Sequence, residues 1–93
     1  MPSPLLQIRL TDTAVREDGL GRRLVRQATC SGASTLQLDL GGVTPTAGVL
    51  GKLVALRAEL EAAGVRLALR NAGAAYEVFE VTGLTRLLDV RPG

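Results

Sequence analysis

The sequence is short of the residue types from which most catalytic and metal sites are built. Its 93 residues include no histidine, no tryptophan and a single cysteine, Cys30. One cysteine cannot form a disulfide framework within the chain, and without histidine there is no Cys/His metal site. Cys30 is interpreted as a small apolar residue near the end of the first helix. No visible spacing assembles an acid–base or nucleophilic site, so we expect no catalytic residues, no cofactor and no metal.

Aromatic residues and concentrated positive charge are also scarce. The chain has one Phe, one Tyr and a formal net charge of +2, and its only lysine is Lys52. Proteins that bind single-stranded nucleic acid use aromatic stacking platforms, and nucleic-acid readers concentrate their basic residues in one patch. Arg22, Arg23 and Arg26 form a basic helical face, which is interpreted as solvated. We therefore expect no nucleic-acid partner.

Long apolar runs are missing as well. No segment approaches the roughly 20 apolar residues of a membrane span, and residues 1–10 lack the basic start and apolar core of a secretory signal. We therefore expect a cytoplasmic protein without direct membrane insertion. Hydrophobic residues still make up 46% of the chain, which predicts one globular domain over residues 1–93 with an aliphatic core. Met1 at the start and Arg91-Pro92-Gly93 at the end favour a whole protein.

Hydrophobic periodicity predicts strands that alternate with helices. Every second residue is apolar in three segments, which is the pattern of half-buried strands. The predicted strands cover residues 5–10, 35–40 and 65–70, with a short edge strand within 84–90. The predicted helices begin near residues 20, 46 and 74. Gly19 and Gly21 argue against any helix before Leu20, and Asp39 is interpreted as an outward-facing strand residue rather than a functional acid.

The central helix has the clearest amphipathic pattern. Its inward residues, spaced by three or four, are Val49, Leu53, Leu56, Leu60 and Ala63. Leu50 and Val54 widen this apolar arc, and Gly64 ends the helix. Two residues compete for the N-cap: Thr44, because Pro45 would then occupy the first helical position, and Thr46.

Four parts of the segment 36–90, in their order and spacing, resemble STAS domains, the fold of bacterial anti-sigma factor antagonists. The parts are LDLGGVT, which runs from the second strand into the following turn, LVAL in the central helix, AAGVRLAL, which leads into the third strand, and VFEVTGLTRLL near the end. The resemblance implies an α/β fold with about four strands, mostly parallel in the centre, and about three helices packed on the sheet. Many family members begin with two strands, whereas this chain has one, which predicts a small sheet with an open edge.

The start of the central helix departs from the family pattern. Family members usually have Asp-Ser-Ser-Gly or a Thr-containing variant there, and a hydroxyl in this motif is the phosphorylatable switch. This chain has PTAGVL instead. An alignment on Leu50 places Thr46 on the acidic position and Ala47 on the phosphoacceptor, whereas a shift by one residue places Thr46 on the acceptor behind Pro45. Thr46 is the phosphorylation candidate, and the competing interpretation is that Thr44 and Thr46 are helix caps.

The resemblance implies a non-enzymatic protein-interaction module. Its partner would be a kinase-like anti-sigma factor or a similar signalling protein, and the missing Asp-Ser pair implies docking without the usual serine phosphoswitch. The predicted partner-binding residues are Thr44, Thr46, Ala47, Gly48, Val49, Leu50 and Leu53.

Two further hypotheses remain open. The STAS subunits of bacterial lipid-transport ABC systems often have Asp-Thr-Gly-Gly-Leu at this position, which Thr46, Gly48 and Leu50 echo with altered spacing. In that role the helix would brace a transporter ATPase. The third hypothesis is a homodimer, formed through the open sheet edge or through the apolar arc at Leu50 and Val54.

Overall fold

Strands and helices alternate along the chain in the computed structural model, which describes residues 5–93. Residues 1–4 of the predicted domain lie outside this range. In chain order the elements are β1 (Leu5–Thr11), α1 (Asp12–Arg16), α2 (Leu20–Cys30), β2 (Thr35–Gly42), α3 (Ala47–Ala62), β3 (Arg66–Arg70), α4 (Ala75–Val81) and β4 (Asp89–Val90), with a short 3-10 turn at Leu84–Arg86.

The four strands form one sheet in which every neighbouring pair is parallel. The strand order is β1-β2-β3-β4, the same as the order along the chain. Parallel crossovers are almost always right-handed, so successive crossovers in one direction bring the helices to the same face of the sheet. The α/β fold, with a four-stranded parallel sheet and three longer helices, is therefore confirmed.

The core lies between this face and the helices, and it is aliphatic apart from one phenylalanine. Its largest fully buried side chains are Phe79, Leu36, Leu38, Leu60 and Leu69. Within residues 5–93, no polar or charged residue is buried. Burial of apolar surface is therefore the main stabilising contribution to this fold.

The opposite face of the sheet is polar. Its exposed or half-buried side chains are Gln7, Arg9, Gln37, Asp39, Arg70 and Asp89. Arg70 reaches across to β4, where its Nη2 lies 3.1 Å from Asp89 Oδ2. Parallel sheets are usually covered by helices on both faces and are apolar on both. In this protein the buried leucines of the sheet lie on one face, whereas Leu5 at the start of β1 is exposed on the polar face.

The prediction that no helix precedes Leu20 is wrong, because α1 follows β1 directly. The Thr11 hydroxyl accepts a hydrogen bond from the Ala14 N–H at 3.1 Å and so caps α1. Asp12 in the first turn interacts favourably with the helix dipole, and Val15 is buried in the core. A local cap and one buried side chain together stabilise a helix that the nearby glycines argued against.

Two residues at helix ends are more exposed than their patterns predicted. Cys30, which ends α2, and Ala63, which follows α3, are both exposed. The predicted glycine stop of α3 is confirmed, since Gly64 has a φ of 78°, a conformation that favours glycine. Gly83, which follows α4, has a φ of 77°.

Candidate functional site

The loop between β2 and α3 lies at the carboxyl end of the sheet. It leaves the end of β2 beside the end of β1, where α1 also begins. In open α/β sheets, ligands generally bind outside the carboxyl ends of the strands. This loop contains Thr44 and Thr46, so the predicted partner-binding segment occupies the edge at which recognition is expected.

Asp12 of α1 holds this loop in place. Its Oδ1 accepts a hydrogen bond from the Thr44 N–H at 2.7 Å, and its Oδ2 accepts one from the Thr44 hydroxyl at 3.0 Å. The backbone hydrogen bond, followed by the hydroxyl, lowers the pKa of Asp12, and Arg16 adds a smaller effect in the same direction. The charged carboxylate is thus the form that binds the loop. No local sequence signal marks Asp12, because its partner Thr44 lies 32 residues away.

Thr46, and not Thr44, caps α3. The Thr46 hydroxyl oxygen accepts a hydrogen bond from the Val49 N–H at 3.2 Å, and the helix begins at Ala47. Pro45 consequently precedes the cap instead of occupying the first helical position. The two threonines therefore have different partners: Thr46 binds its own helix, while Thr44 binds Asp12.

The predicted partner-binding residues divide into an exposed group and a buried group. Thr44, Thr46, Ala47 and Gly48 are exposed, and Val49 is half-buried. The side chains of Leu50 and Leu53 belong to the hydrophobic core, with 9% and 4% exposure. Leu50 therefore does not extend an exposed apolar arc along α3, and the accessible part of the predicted surface is its loop and first helical turn.

A groove of about 240 Å³ runs beside Thr46. Its lining residues are Asp12, Val15, Arg16, Thr44, Thr46, Gly48, Val49 and Lys52. Lys52 donates a hydrogen bond from Nζ to the Val15 carbonyl, which joins α3 to α1. Arg16 and Lys52 bring two positive charges to the same groove and Asp12 brings one negative charge, so the net charge favours an anionic group such as a carboxylate or phosphate. The position of Lys52, less than two helical turns after Thr46, is the one sequence feature from which a positive charge near Thr46 could have been predicted.

Asp39 has a structural role at the same edge of the sheet. Its Oδ1 accepts hydrogen bonds from the Gly41 N–H at 2.8 Å and from Asn71 Nδ2 at 3.0 Å. The Gly41 bond, followed by the Asn71 bond, lowers the pKa of the carboxyl group. A Cβ at position 41 would lie only 2.6 Å from Asn71 Nδ2, so this close approach requires glycine. Asp39 thus connects the ends of β2 and β3 and faces outward, as predicted.

Residues 5–93 contain neither a cluster of side chains suited to a metal ion nor a helix suited to crossing a membrane. No group of three or more Cys, Asp and Glu side chains in that range could hold a metal ion. None of its helices combines the length and the apolar character needed to cross a membrane.

In comparisons with known proteins, no family model matches the chain, and no curated protein or solved structure matches it. Membership of the STAS family therefore stays a prediction from the four sequence parts described above.

Proposed function

We propose that this chain is a non-enzymatic protein-interaction module of the STAS type, acting in the cytoplasm of a bacterium. It docks on a kinase-like anti-sigma factor or a similar signalling protein through the loop and first helical turn from Thr44 to Val49, with Leu50 and Leu53 supporting that turn from the core.

One observation carries this proposal: the Thr44–Gly48 segment is exposed except at the half-buried Pro45, and yet hydrogen bonds hold it at Thr44 and Thr46. Asp12 holds Thr44 through two hydrogen bonds, and Thr46 caps α3. A loop that is ordered before binding loses less conformational entropy when a partner docks. Its position at the carboxyl edge of a parallel sheet also supports a role in recognition.

Docking in this proposal does not use the usual serine switch. The residue after Thr46 is Ala47, and the acidic residue that family members have in the motif is absent from this loop. Thr46 uses its hydroxyl oxygen as a helix cap. Phosphate on Thr46 would add about −1.5 to −2 charges at neutral pH beside Arg16 and Lys52, so Thr46 stays the candidate if the module is regulated by phosphorylation.

The test is a pull-down from the lysate of the source cell, with retained proteins identified by mass spectrometry. The wild type is compared with Thr46→Glu, which places negative charge on the docking surface. Thr46→Ala removes the cap without adding charge. Thr29→Glu is the matched control, because Thr29 is exposed on α2 near the opposite edge of the sheet.

We expect a kinase-like regulator that the wild type, Thr46→Ala and Thr29→Glu retain and Thr46→Glu loses. Retention by Thr46→Glu would contradict docking through this surface. Retention of a transporter ATPase instead of a regulator would favour the lipid-transport alternative and overturn the proposal. Retention of no signalling protein by the wild type would also count against it.

A further inference from the structure

A second pocket lies between α2 and α3, and the proposed docking role does not explain it. Its volume is about 230 Å³, and segment 17–19 closes one side of it. The floor is formed by buried apolar side chains from β1, α1, α2 and α3, among them Leu10, Val15, Leu24, Leu53 and Leu56. A cleft this apolar would be filled by core side chains in a fully packed domain.

The mouth of the pocket is acidic. Glu17, Asp18 and Glu59 lie around it. Glu17 is paired with Arg23, whose Nη2 lies 2.7 Å from Glu17 Oε2. Asp18 and Glu59 make no hydrogen bond or ion pair to any residue in the range 5–93, which leaves two carboxylates without a positively charged partner.

Among the described residues that line the pocket, Lys52 is the cationic one. It keeps its positive charge, and a hydrogen bond from its ammonium group to the Val15 carbonyl holds it in place. Glu59 extends toward the start of α2, where its Oε2 would lie 3.4 Å from a Cβ built on Gly21. The pocket therefore combines carboxylates that make no ion pair within residues 5–93 with an apolar interior.

We propose that this pocket binds a small organic cation of roughly nine non-hydrogen atoms in total. The cation has one ammonium group attached to an apolar body. The size follows from comparison with an engineered cavity of about 150 Å³ that holds benzene, which has six such atoms. The apolar body displaces water from the leucine floor, and the ammonium group pairs with Glu59 and Asp18 at the mouth. The pocket shares Val15, Val49 and Lys52 with the groove beside Thr46, but ligand binding here does not require the proposed docking role and is tested separately from it.

The acidic residues have a competing explanation, since carboxylates near the first turn of α2 also stabilise the helix dipole. That explanation requires no bound ligand, so it does not predict saturable binding in which a cation is preferred over a neutral molecule of the same shape. The choice of ligand charge therefore distinguishes the two.

The experiment is a titration of ¹⁵N-labelled protein at low ionic strength with three probes of similar shape, followed by NMR amide shifts. The probes are 2-phenylethylamine, the neutral 2-phenylethanol and the anionic phenylacetate. We expect the amine to shift the amides of Leu20, Gly21 and Leu56 with a Kd on the order of 1 mM. The amine should bind about threefold to fivefold more tightly than the alcohol, because a partly exposed ion pair contributes only a small binding free energy. Phenylacetate should bind more weakly than both, because its negative charge is repelled by the carboxylates.

Two pairs of variants locate the site. Ala55→Leu places a larger side chain at the lining of the pocket, while Ala58→Leu makes the same change at an exposed position of α3 outside it. Ala55→Leu should weaken amine binding about tenfold or more, and Ala58→Leu should leave it unchanged. Glu59→Gln should remove most of the preference for the amine over the alcohol. Glu80→Gln on α4, outside the pocket, should leave that preference unchanged.

Equal affinities for the amine and the alcohol would overturn the proposal, as would shifts confined to amides elsewhere in the protein. Unchanged amine binding by Ala55→Leu would do the same. All four variants change exposed residues, and dispersed amide spectra would establish that each is folded before it is titrated.

Discussion

Neighbouring residues of β2 lie in opposite environments. Leu36, Leu38 and Leu40 face the helices and are at most 3% exposed, while Gln37 and Asp39 on the other face are half-buried. The helix-covered face concentrates the apolar contacts that stabilise the domain. The polar face and the carboxyl edge provide hydrogen-bonding groups that can change without opening the core. In this small domain, the contacts that stabilise the core lie on one side of the strands, and the proposed docking surface lies at their carboxyl edge.

The largest expected effect is on the covered face. Leu38→Ala should lower the free energy of unfolding by about 3 kcal/mol, because it removes a fully buried side chain and leaves a cavity. Gln37→Ala, one residue away on the polar face, should change it by no more than about 0.5 kcal/mol. Urea unfolding of both variants measures the contrast. Comparable losses would show that the polar face contributes to stability as much as the core does.

A smaller effect on the free energy of unfolding is expected at the carboxyl edge of the sheet, where the β2–α3 loop belongs to neither face. Thr46→Ala should lower the free energy of unfolding by about 1 kcal/mol, because the Val49 N–H loses its cap. Thr46→Ser keeps a hydroxyl and should recover most of this loss. Thr13→Ala, at an exposed position of α1, is the matched control, measured in the same urea experiment. A Thr46→Ala effect no larger than that of the control would contradict the assigned cap.

The smallest effect concerns acid pH. Hydrogen bonds lower the pKa of Asp12 and Asp39, so each carboxylate stabilises the fold above its unfolded pKa of about 4. This contribution is lost as the pH falls below about 4 and through the lower folded pKa. Asp12→Asn and Asp39→Asn should therefore lower stability at pH 6 and make it less sensitive to pH between about 3 and 5.

Urea midpoints measured from pH 3 to pH 6 check this prediction. The control is Asp18→Asn, whose carboxylate has no hydrogen-bond or ion-pair partner within residues 5–93. A pH dependence as steep in Asp12→Asn and Asp39→Asn as in the wild type would mean that these hydrogen bonds do not stabilise the folded state.

The predicted elements agree with the observed ones more closely from β2 to α4 than in the segment between β1 and α2. From β2 to α4 the predicted strands and helices lie within a few residues of the observed ones, because alternation and helical spacing are strong there. In the segment between β1 and α2, α1 was missed. Its five residues are too few for a helical period, and the burial of Val15 depends on elements far away in sequence.

The candidate site was predictable only in part. Thr44 and Thr46 were identified because hydroxyl residues before an apolar helix are a local signal. The groups that complete the site, Asp12 and Arg16, come from α1 and have no signal near the loop. The same is true of the pocket between α2 and α3, whose lining residues come from four elements.

The sequence by itself determined the alternating strands and helices, the aliphatic core, and the glycines that end α3 and α4. These features follow from the spacing and conformational preferences of neighbouring residues. Only the tertiary structure decided which threonine caps α3, that Leu50 belongs to the core, and that Asp12 holds the β2–α3 loop. The cap itself is a local hydrogen bond, but Thr44 is bound to Asp12, 32 residues away. The burial of Leu50 and the Asp12 contact likewise depend on residues far apart in the chain, whose free energies are set by packing and not by local pattern.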